Sequence, residues 1–225
     1  HPISSSVRPY KGYRTALEIV NRCLNGSEIY TTEPRHLQAP LSFRTCANVI
    51  GAAYDIFDFC ETQISIELNA HQQNPLSLPE HNFLITSGHF DMQTISSALD
   101  YARIALAPLL TTHTERSMKM LQASETGLTA GLEPLANENA FFSNGLSDLA
   151  WTLQGMCTEA KTLIQPVSAE TPSATQAEGI EDRMNMANLS ARRLSNMVEL
   201  GFRCTALSAI IGCQAMDLRG NGSME

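Results

Sequence analysis

The sequence predicts an all-α fold, an elongated bundle of long helices. Apolar residues recur at helical spacing in several stretches, two of them about thirty residues long, well above the mean helix length of globular proteins. Residues 83–86 form the only short strand-like run. No apolar run approaches the roughly 18 residues needed to cross a bilayer. With 43% hydrophobic residues among 225, the chain can bury the core of one large domain or two small ones.

The hydrophobic periodicity places five helices along the chain. We expect them over residues 12–24, 42–70, 91–121, 145–164 and 183–217. An Asn-Gly pair at 25–26 ends the first, and an Asn-Pro pair at 74–75 closes the second region. Pro108 should bend the third helix. Residues 165–180, rich in Pro, Ser and Thr, predict a loop, and residues 220–225 predict a frayed tail.

Charge composition indicates the kinds of partner. The net charge of −8 argues against a protein that binds the phosphate backbone of nucleic acids. Charged residues make up 17% of the chain, below the roughly 25% of ordinary soluble domains. Of the 15 cationic residues only Lys11, Lys119 and Lys161 are lysines, whereas arginine is preferred at interfaces. We therefore expect other subunits to cover much of the surface, with compositional drift as the alternative.

The cysteines and histidines predict neither disulfides nor a metal site. The six cysteines include no CxxC pair and lie in apolar, helix-periodic stretches, as small buried residues do. No two of the six histidines share a helix-turn spacing, which disfavours a metal centre. These features are typical of a reducing cytoplasm. A catalytic cysteine is the alternative.

Three polar clusters lie at the edges of the predicted helices. The first, residues 38–44, places Arg44 in the first turn of the second helix, where a cation is unfavourable against the helix dipole. A planar guanidinium in that place suits a carboxylate ligand, with a salt bridge to another element as the alternative. The second, residues 67–75, contains asparagines that are typical helix caps. The third, residues 178–183, is acidic, which complements the start of the last helix.

These clusters are parts of a longer series of motifs. In chain order the segments and their counterparts are Arg8 to Gly12 (RPHxGQ), Gln38 to Arg44 (QDPYSLR), Asn69 to Pro75 (NAVSDNP), Ser87 to Phe90 (SGGNF), Thr114 to Arg116 (SERR), Ser143 to Gly145 (NSG), Glu181 to Arg183 with Met186 and Arg192 to Leu194 (QEDHVSM…GRRL), and Cys213 to Arg219 (CQGLDLR). Taken together they resemble the aromatic amino-acid ammonia-lyases, the histidine and phenylalanine ammonia-lyase family. The resemblance implies the fumarase/aspartase-like helical fold of that family.

The resemblance covers only the second half of a typical catalytic domain of the family. It implies that residues 1–225 are the C-terminal segment of such a domain. The first half of a family member carries an Ala-Ser-Gly triad that cyclises into a methylidene-imidazolone prosthetic group, and no Ala-Ser-Gly occurs in this sequence. We therefore expect a complementary N-terminal chain to supply the group, with a cleaved or truncated parent as the alternatives.

The resemblance also implies an activity. Family members eliminate ammonia from an L-α-amino acid, histidine-like or aromatic, to give an α,β-unsaturated acid, after the prosthetic group has activated the amine. They need no metal, and they are tetramers whose active sites draw on several chains. The resemblance thus predicts a lyase that is active only with the N-terminal half.

Six residues occupy substrate-site positions of the family, five of which match its motifs and one of which, Leu41, departs from them. Arg44 matches the arginine that holds the substrate carboxylate, and Gln38 and Asn74 match polar residues near that carboxylate and the prosthetic group. Phe90 matches a phenyl ring beside the group. Glu181 matches a position that is Glu in histidine lyases and Gln in plant phenylalanine lyases. The resemblance therefore favours a polar or imidazole substrate.

The departures from the motifs leave alternatives open. Leu41 replaces the active-site tyrosine of QDPYSLR, and Tyr10 and Tyr13 replace the His and Gln of RPHxGQ. The site is thus expected to take an unusual substrate or to be impaired. An enzyme that eliminates trimethylamine from a betaine is one variant, an aminomutase of the same family is another, and a non-catalytic assembly subunit of a lyase complex is the third.

Overall fold

The computed structural model describes residues 4–33, 36–134, 144–170 and 177–221. In these residues the helices are α1 (Ser4–Val7), α2 (Lys11–Cys23), α3 (Leu41–Arg44), α4 (Cys46–Leu68), α5 (Gln93–Met120), α6 (Ala123–Thr126), α7 (Ser147–Thr162) and α8 (Ala187–Asn221). Strands β1 (Leu76–Leu78) and β2 (Phe83–Ile85) form one antiparallel pair between α4 and α5. The predicted all-α bundle of long helices is confirmed.

Helix α5 is the centre of the bundle. It packs against α4 on one side and α8 on the other, while α7 lies against both α5 and α8, and α2 covers α4. The largest buried cluster joins α7 and α8 through Leu153, Cys204 and Ile211, with Leu132 from the connection between α6 and α7. No helix within the described ranges combines the length and the apolar character needed to cross a membrane.

The observed helices and strands differ from the expected elements in several respects. The predicted helix 42–70 is broken at Thr45, which separates α3 from α4. The strand-like run pairs with a second strand, in the register Leu76 opposite Ile85, which the sequence analysis did not predict. Helix α8 begins at Ala187 rather than at residue 183. At this start, the side-chain oxygen of Asn185 accepts the Ala187 N–H at 3.2 Å.

The end of the chain and its loops are described in part. Gly220 and Asn221 continue α8, so the prediction of a frayed tail is wrong for these two residues. Residues 222–225 of that tail, residues 171–176 of the predicted loop and Ser143 of the NSG-like motif lie outside the described residues. Helix α5 continues through Pro108.

The cysteines are free, as predicted. Cys60, Cys157 and Cys204 are buried, and burial raises the pKa of the Cys60 and Cys204 thiols. Cys23 and Cys213 are exposed, so the expectation of buried cysteines is wrong for these two. Both lie on helix faces that the described part of the chain does not cover.

Helices α2 and α4 approach each other at two glycines. A Cβ on Gly51 would lie 2.5 Å from the backbone of Tyr13, and a Cβ on Gly12 would lie 2.1 Å from the carbonyl oxygen of Gly51. The Gly12 N–H also donates to Asp55 Oδ1 at 2.7 Å. The contact therefore has no room for a methyl group unless the helices separate.

Gly51→Ala is expected to lower the free energy of unfolding by about 1–3 kcal/mol, because overpacking forces the backbones apart. Gly155→Ala is the matched control, since Gly155 lies within α7 with nothing within 4 Å of its added Cβ. That change should stabilise the protein by about 0.5–1 kcal/mol, because glycine is unfavourable inside a helix. Urea denaturation of both variants measures the difference, and equal stabilities would contradict the close approach.

Candidate substrate-binding residues

The first candidate motif lies on the short helix α3, which is held against the end of α5. Ser42 is buried, and its carbonyl oxygen accepts a hydrogen bond from Arg116 Nη1 at 2.9 Å. Thr45 Oγ1 donates to the carbonyl of Leu41 at 2.6 Å, which closes the helix before α4 begins. Arg44 and Leu41 are both exposed. Helix α3 is therefore held on its α5 side, while the side chains of Arg44 and Leu41 are exposed to solvent.

The break at Thr45 changes the interpretation of Arg44. The residue ends α3 instead of lying in the first turn of the long helix, but it is two positions before Cys46, the first residue of α4, so its cation remains beside the N-terminal end of that helix. At the end of a helix a cation is electrostatically favourable, although α3 is too short for a large effect. Arg44 forms no ion pair with an acidic side chain of the described residues, so the structure does not supply the salt bridge weighed as the alternative.

Arg116 is the supporting residue that the sequence analysis did not single out. Burial lowers the pKa of its guanidinium, and the neighbouring Cys46 opposes that shift. Burial, followed by the charge of Arg116, also lowers the pKa of His113 one turn earlier. The sequence signal was available, because Arg116 belongs to the SERR-like motif. Its contact with Ser42, which lies 74 positions earlier in the chain, could not be inferred from the sequence.

A groove of about 660 Å³ lies beside this motif. Ala39, Pro40 and Phe43 form one wall, and Ala215 and Met216 of α8 form another. Gln38 is exposed next to it, one residue before Ala39. The groove brings the start of the motif into contact with the CQGLDLR-like end of α8.

The second candidate group surrounds the turn before α5. Asn74 Oδ1 accepts the Ser87 N–H at 3.0 Å, and Ser87 Oγ donates to the carbonyl of Gln73 at 2.8 Å. The NAVSDNP-like and SGGNF-like motifs are thus joined directly. Phe90 ends the second motif and is 43% exposed. Asn69, in contrast, is the C-cap of α4 and donates to the carbonyl of Ser65, as the capping alternative predicted.

Glu181 joins the second group through its neighbours. Arg183 forms an ion pair with Asp91, the residue after Phe90, and its Nη2 donates to Gln93 Oε1 at 2.9 Å. Glu181 itself is exposed and lies six positions before the first residue of α8. It is not in the first turn of that helix, so the capping alternative for Glu181 is wrong.

The two groups lie at opposite ends of α5. Arg116 holds the motif of Arg44, Gln38 and Leu41, whereas Gln93 contacts the segment that carries Glu181. These two residues are 23 positions apart on the helix, which at 1.5 Å per residue is roughly 35 Å. The structure therefore places the segments that carry Asn74, Phe90 and Glu181 at one end of α5 and the motif of Arg44 at the other.

The RPHxGQ-like motif forms part of a separate pocket of about 340 Å³. Tyr13 is buried in the contact between α2 and α4, whereas Tyr10 is exposed with the guanidinium of Arg8 over its ring at 5.8 Å. No group of three or more metal-ligating side chains occurs in the ranges that the structure describes.

The fold and these motifs define a helical protein whose polar motifs lie mainly at or near helix ends. Comparison with known families gives the particular one. Residues 1–225 match the family profile of the aromatic amino acid lyases, and the chain belongs to that family. It is 28% identical over 213 residues to a histidine ammonia-lyase of Treponema denticola, and 27% identical over 219 residues to one of Staphylococcus aureus.

The chain spans about two-fifths of these relatives. The matches cover 95% of this chain and 41% of the Treponema denticola protein, and 96% and 42% for the Staphylococcus aureus protein. The predicted coverage of roughly half a catalytic domain agrees with these shares.

Solved structures match over nearly the whole chain. Ergothionase, an ergothioneine-degrading enzyme from Treponema denticola, has a TM-score of 0.86 and 26% identity, over 98% of this chain and 43% of its own. Histidine ammonia-lyase from Trypanosoma cruzi has a TM-score of 0.82 and 24% identity, over 97% and 40%. Phenylalanine aminomutase from Pantoea agglomerans, at 21% identity over 98% and 46%, has a TM-score of 0.81 and supports the fold alone. The predicted family and helical fold are confirmed.

Proposed function

We propose that this chain is part of an amino-acid ammonia-lyase, which eliminates ammonia from an L-α-amino acid to give an α,β-unsaturated acid. Arg44 carries the proposal. Its guanidinium is exposed on a helix that Arg116 fixes, and no acidic side chain of the described residues neutralises it. A fork of N–H donors in that state suits the substrate carboxylate, which it would bind through two parallel hydrogen bonds. Orientation by such a contact is a recognised source of rate enhancement.

The other candidate residues take the roles that the resemblance implies. Gln38 and Asn74 offer amides for the carboxylate and the region of the prosthetic group. Phe90 offers an exposed ring, and Glu181 an exposed carboxylate for an imidazole or another polar side chain. Leu41, which is 60% exposed, offers only an apolar surface where the family motif has a tyrosine hydroxyl.

Residues 1–225 contain no Ala-Ser-Gly, so the methylidene-imidazolone group would have to come from residues outside this segment. The residues present fit such a group, since Asn74 is exposed and accepts the Ser87 N–H, and the exposed ring of Phe90 follows Ser87 by three positions. When bound, that group supplies the electrophile that makes the substrate amine a leaving group. The chain's own residues hold the carboxylate and enclose the side chain of the substrate.

More than one chain has to contribute to such a site. Arg44 and Glu181 are held at opposite ends of α5, so a single copy cannot bring both to one amino acid. Large apolar side chains are also exposed on several helices, among them Trp151, Phe202 and Leu68. Both observations support an assembly of several chains. A cytoplasmic tetramer, in which residues 1–225 form the C-terminal segment of the catalytic domain beside a complementary N-terminal chain, is the arrangement that the resemblance implies.

Mass spectrometry of the protein purified from its source tests this assembly. A second polypeptide with a dehydrated Ala-Ser-Gly, together with release of ammonia from histidine or an aromatic amino acid, is the expected result. If the purified protein contains only this chain, as a homo-oligomer without activity, the result would favour the non-catalytic assembly subunit. A β-amino acid product would indicate the aminomutase.

Elimination of trimethylamine from a betaine is a second candidate, and two observations favour it. Leu41 removes a hydroxyl group from the site, and ergothionase is similar over 98% of this chain. A quaternary ammonium is a better leaving group and needs less electrophilic help. Incubation with ergothioneine and with histidine separates the two, because only the first can release trimethylamine.

Exchange of Glu181 for glutamine is expected to change the substrate preference. The carboxylate would pair with a cationic or hydrogen-bonding side chain, and the neutral amide should lower kcat/KM for histidine about tenfold or more relative to phenylalanine. Glu178→Gln is the matched control, because Glu178 is an exposed glutamate of the same segment. The ratio of the two kcat/KM values is the measurement. A ratio that Glu181→Gln leaves unchanged would remove Glu181 from the substrate site.

A further inference from the structure

A half-exposed ion pair connects the segments of Phe90 and Glu181. Arg183 pairs with Asp91, with side-chain exposures of 50% and 32%. Asp91 directly follows Phe90. Glu181 is two positions before Arg183, so the Cα atoms of Glu181 and Arg183 are at most about 7 Å apart. The ion pair thus joins the backbone segment that carries Glu181 to the one that carries Phe90.

Arg183 is tied to the buried interior through Gln93. Gln93 Oε1 accepts from Arg183 Nη2 at 2.9 Å, while Gln93 Nε2 donates to Ser97 Oγ at 3.3 Å and lies 3.5 Å from the carbonyl of Ser168. Ser168 in turn donates from its N–H and its hydroxyl to Asp100 Oδ2, at 2.8 and 2.6 Å. A continuous set of hydrogen bonds therefore runs from the surface ion pair to the core of α5.

The segment around Glu181 has local contacts besides those of Arg183: Glu181 takes part in an isolated β-bridge, Asp182 has an interaction of its own, and the Ile180 N–H donates to the carbonyl of Ala177 at 3.3 Å. Ala177 and Glu178 have positive φ angles of 49° and 60°, a conformation that costs a residue with a side chain free energy. Ile180 is 80% exposed, and the carboxylate of Glu181 has no hydrogen bond to another side chain of the described residues. A strained and exposed segment keeps one position only when its surroundings restrain it, and the contacts of Arg183 with Asp91 and Gln93 are the side-chain restraint that links it to α5.

We propose that Arg183 is a positioning residue that sets the place of Glu181 beside Phe90 and so determines which substrate side chain fits. The inference rests on the function proposed above. The QEDHVSM motif has histidine at this position, so the ion pair is a feature of this chain rather than of the motif. Arg183 acts through Glu181 and does not itself contact the substrate.

A positioning role is separable from a structural one because the ion pair is half exposed. Such pairs contribute little to global stability. Substitution of Arg183 is therefore expected to leave the fold and the melting temperature unchanged while it releases residues 177–186. Hydrogen exchange of those amides reports the release without any need for activity.

The test uses the protein purified with its partner chains and four variants. Arg183→Gln keeps a donor for Gln93 but loses the charge, Arg183→Lys restores the charge, and the exchange of both residues, Asp91→Arg with Arg183→Asp, restores the pair in reverse. Arg203→Gln is the control, because Arg203 forms an exposed ion pair with Glu199 within α8. Measurements are hydrogen exchange of 177–186 and separate kcat and KM values.

Arg183→Gln is expected to accelerate exchange at 177–186 at least tenfold and to raise KM for the preferred amino acid about tenfold, with a smaller change in kcat. Arg183→Lys and the exchanged pair should recover most of both effects, and the control should show neither. Unchanged exchange, or faster exchange with an unchanged KM, would overturn the proposal. If the unaltered protein eliminates nothing, the proposed function has failed, whereas faster exchange in Arg183→Gln would still support the restraint by Arg183.

Discussion

Arg44→Ala is expected to lower kcat/KM for elimination about a hundredfold in the assembled protein, with the melting temperature unchanged. Each hydrogen bond to a charged group contributes about 1.5–3 kcal/mol, and loss of a bidentate pair of about 3 kcal/mol corresponds to roughly two orders of magnitude in rate. The fold should not change, since Arg44 is exposed and Arg116 holds α3 through the backbone of Ser42 instead. Steady-state kinetics and thermal unfolding of the same preparation measure both.

Two further variants separate charge from geometry at this position. Arg44→Lys keeps the cation but loses the planar fork, so it should recover part of kcat/KM and no more. Arg203→Ala is the control: it removes an exposed arginine that already pairs with Glu199 within α8, and it should leave kcat/KM unchanged. A full activity in Arg44→Ala would remove the residue from carboxylate binding and favour the non-catalytic assembly subunit.

The sequence predicted the helices because their apolar periodicity is local. It did not predict the break at Thr45, since both sides of that residue continue the same apolar pattern while the hydroxyl of Thr45 turns back to Leu41. The placement of Arg44 in the first turn of the long helix, rather than at the end of α3, followed from this. A short interruption that depends on one side chain leaves no trace in the period of the surrounding residues.

Contacts between distant segments were also beyond the sequence. The pairing of Arg183 with Asp91 joins residues that the motifs place in separate segments. The resemblance suggested six substrate-site residues without indicating that they divide into two groups. That division follows from the length of α5 and from the contacts at its ends, which only the packed structure shows.

Arg103 is the largest omission of the sequence analysis. It lies in an alanine-rich part of α5, where an arginine is usually a solvated residue, yet it is fully buried. Its Nη1 donates to both oxygens of Ser190 at 2.8 Å, and its Nη2 donates to Asp100 at 2.5 Å and to the carbonyl of Gln165 at 3.1 Å. Burial of this cation depends on partners from the chain after α7 and from α8.

Arg103→Ala is expected to lower the free energy of unfolding by about 3–5 kcal/mol, because it leaves the buried carboxylate of Asp100 without its cation. Arg203→Ala, at an exposed pair, should cost about 0.5 kcal/mol or less. Urea denaturation gives both values. A loss below about 1 kcal/mol for Arg103→Ala would mean that desolvation cancels the attraction within the pair.

The pH dependence of the same measurement identifies the carboxylate as the cause. Burial by itself would raise the pKa of Asp100, but hydrogen bonds from Ser168 and Ser190, together with the charge of Arg103, outweigh it, and the pKa lies below its ordinary value. The stabilisation from Asp100 is therefore complete above its unfolded pKa of about 3.9 and is lost as the pH falls through the lower folded pKa. In Arg103→Ala the unpaired carboxylate is neutralised by protonation at acid pH. The difference in unfolding free energy between the two proteins should consequently shrink below about pH 4, whereas a difference that stays constant with pH would point to lost packing of the arginine side chain instead.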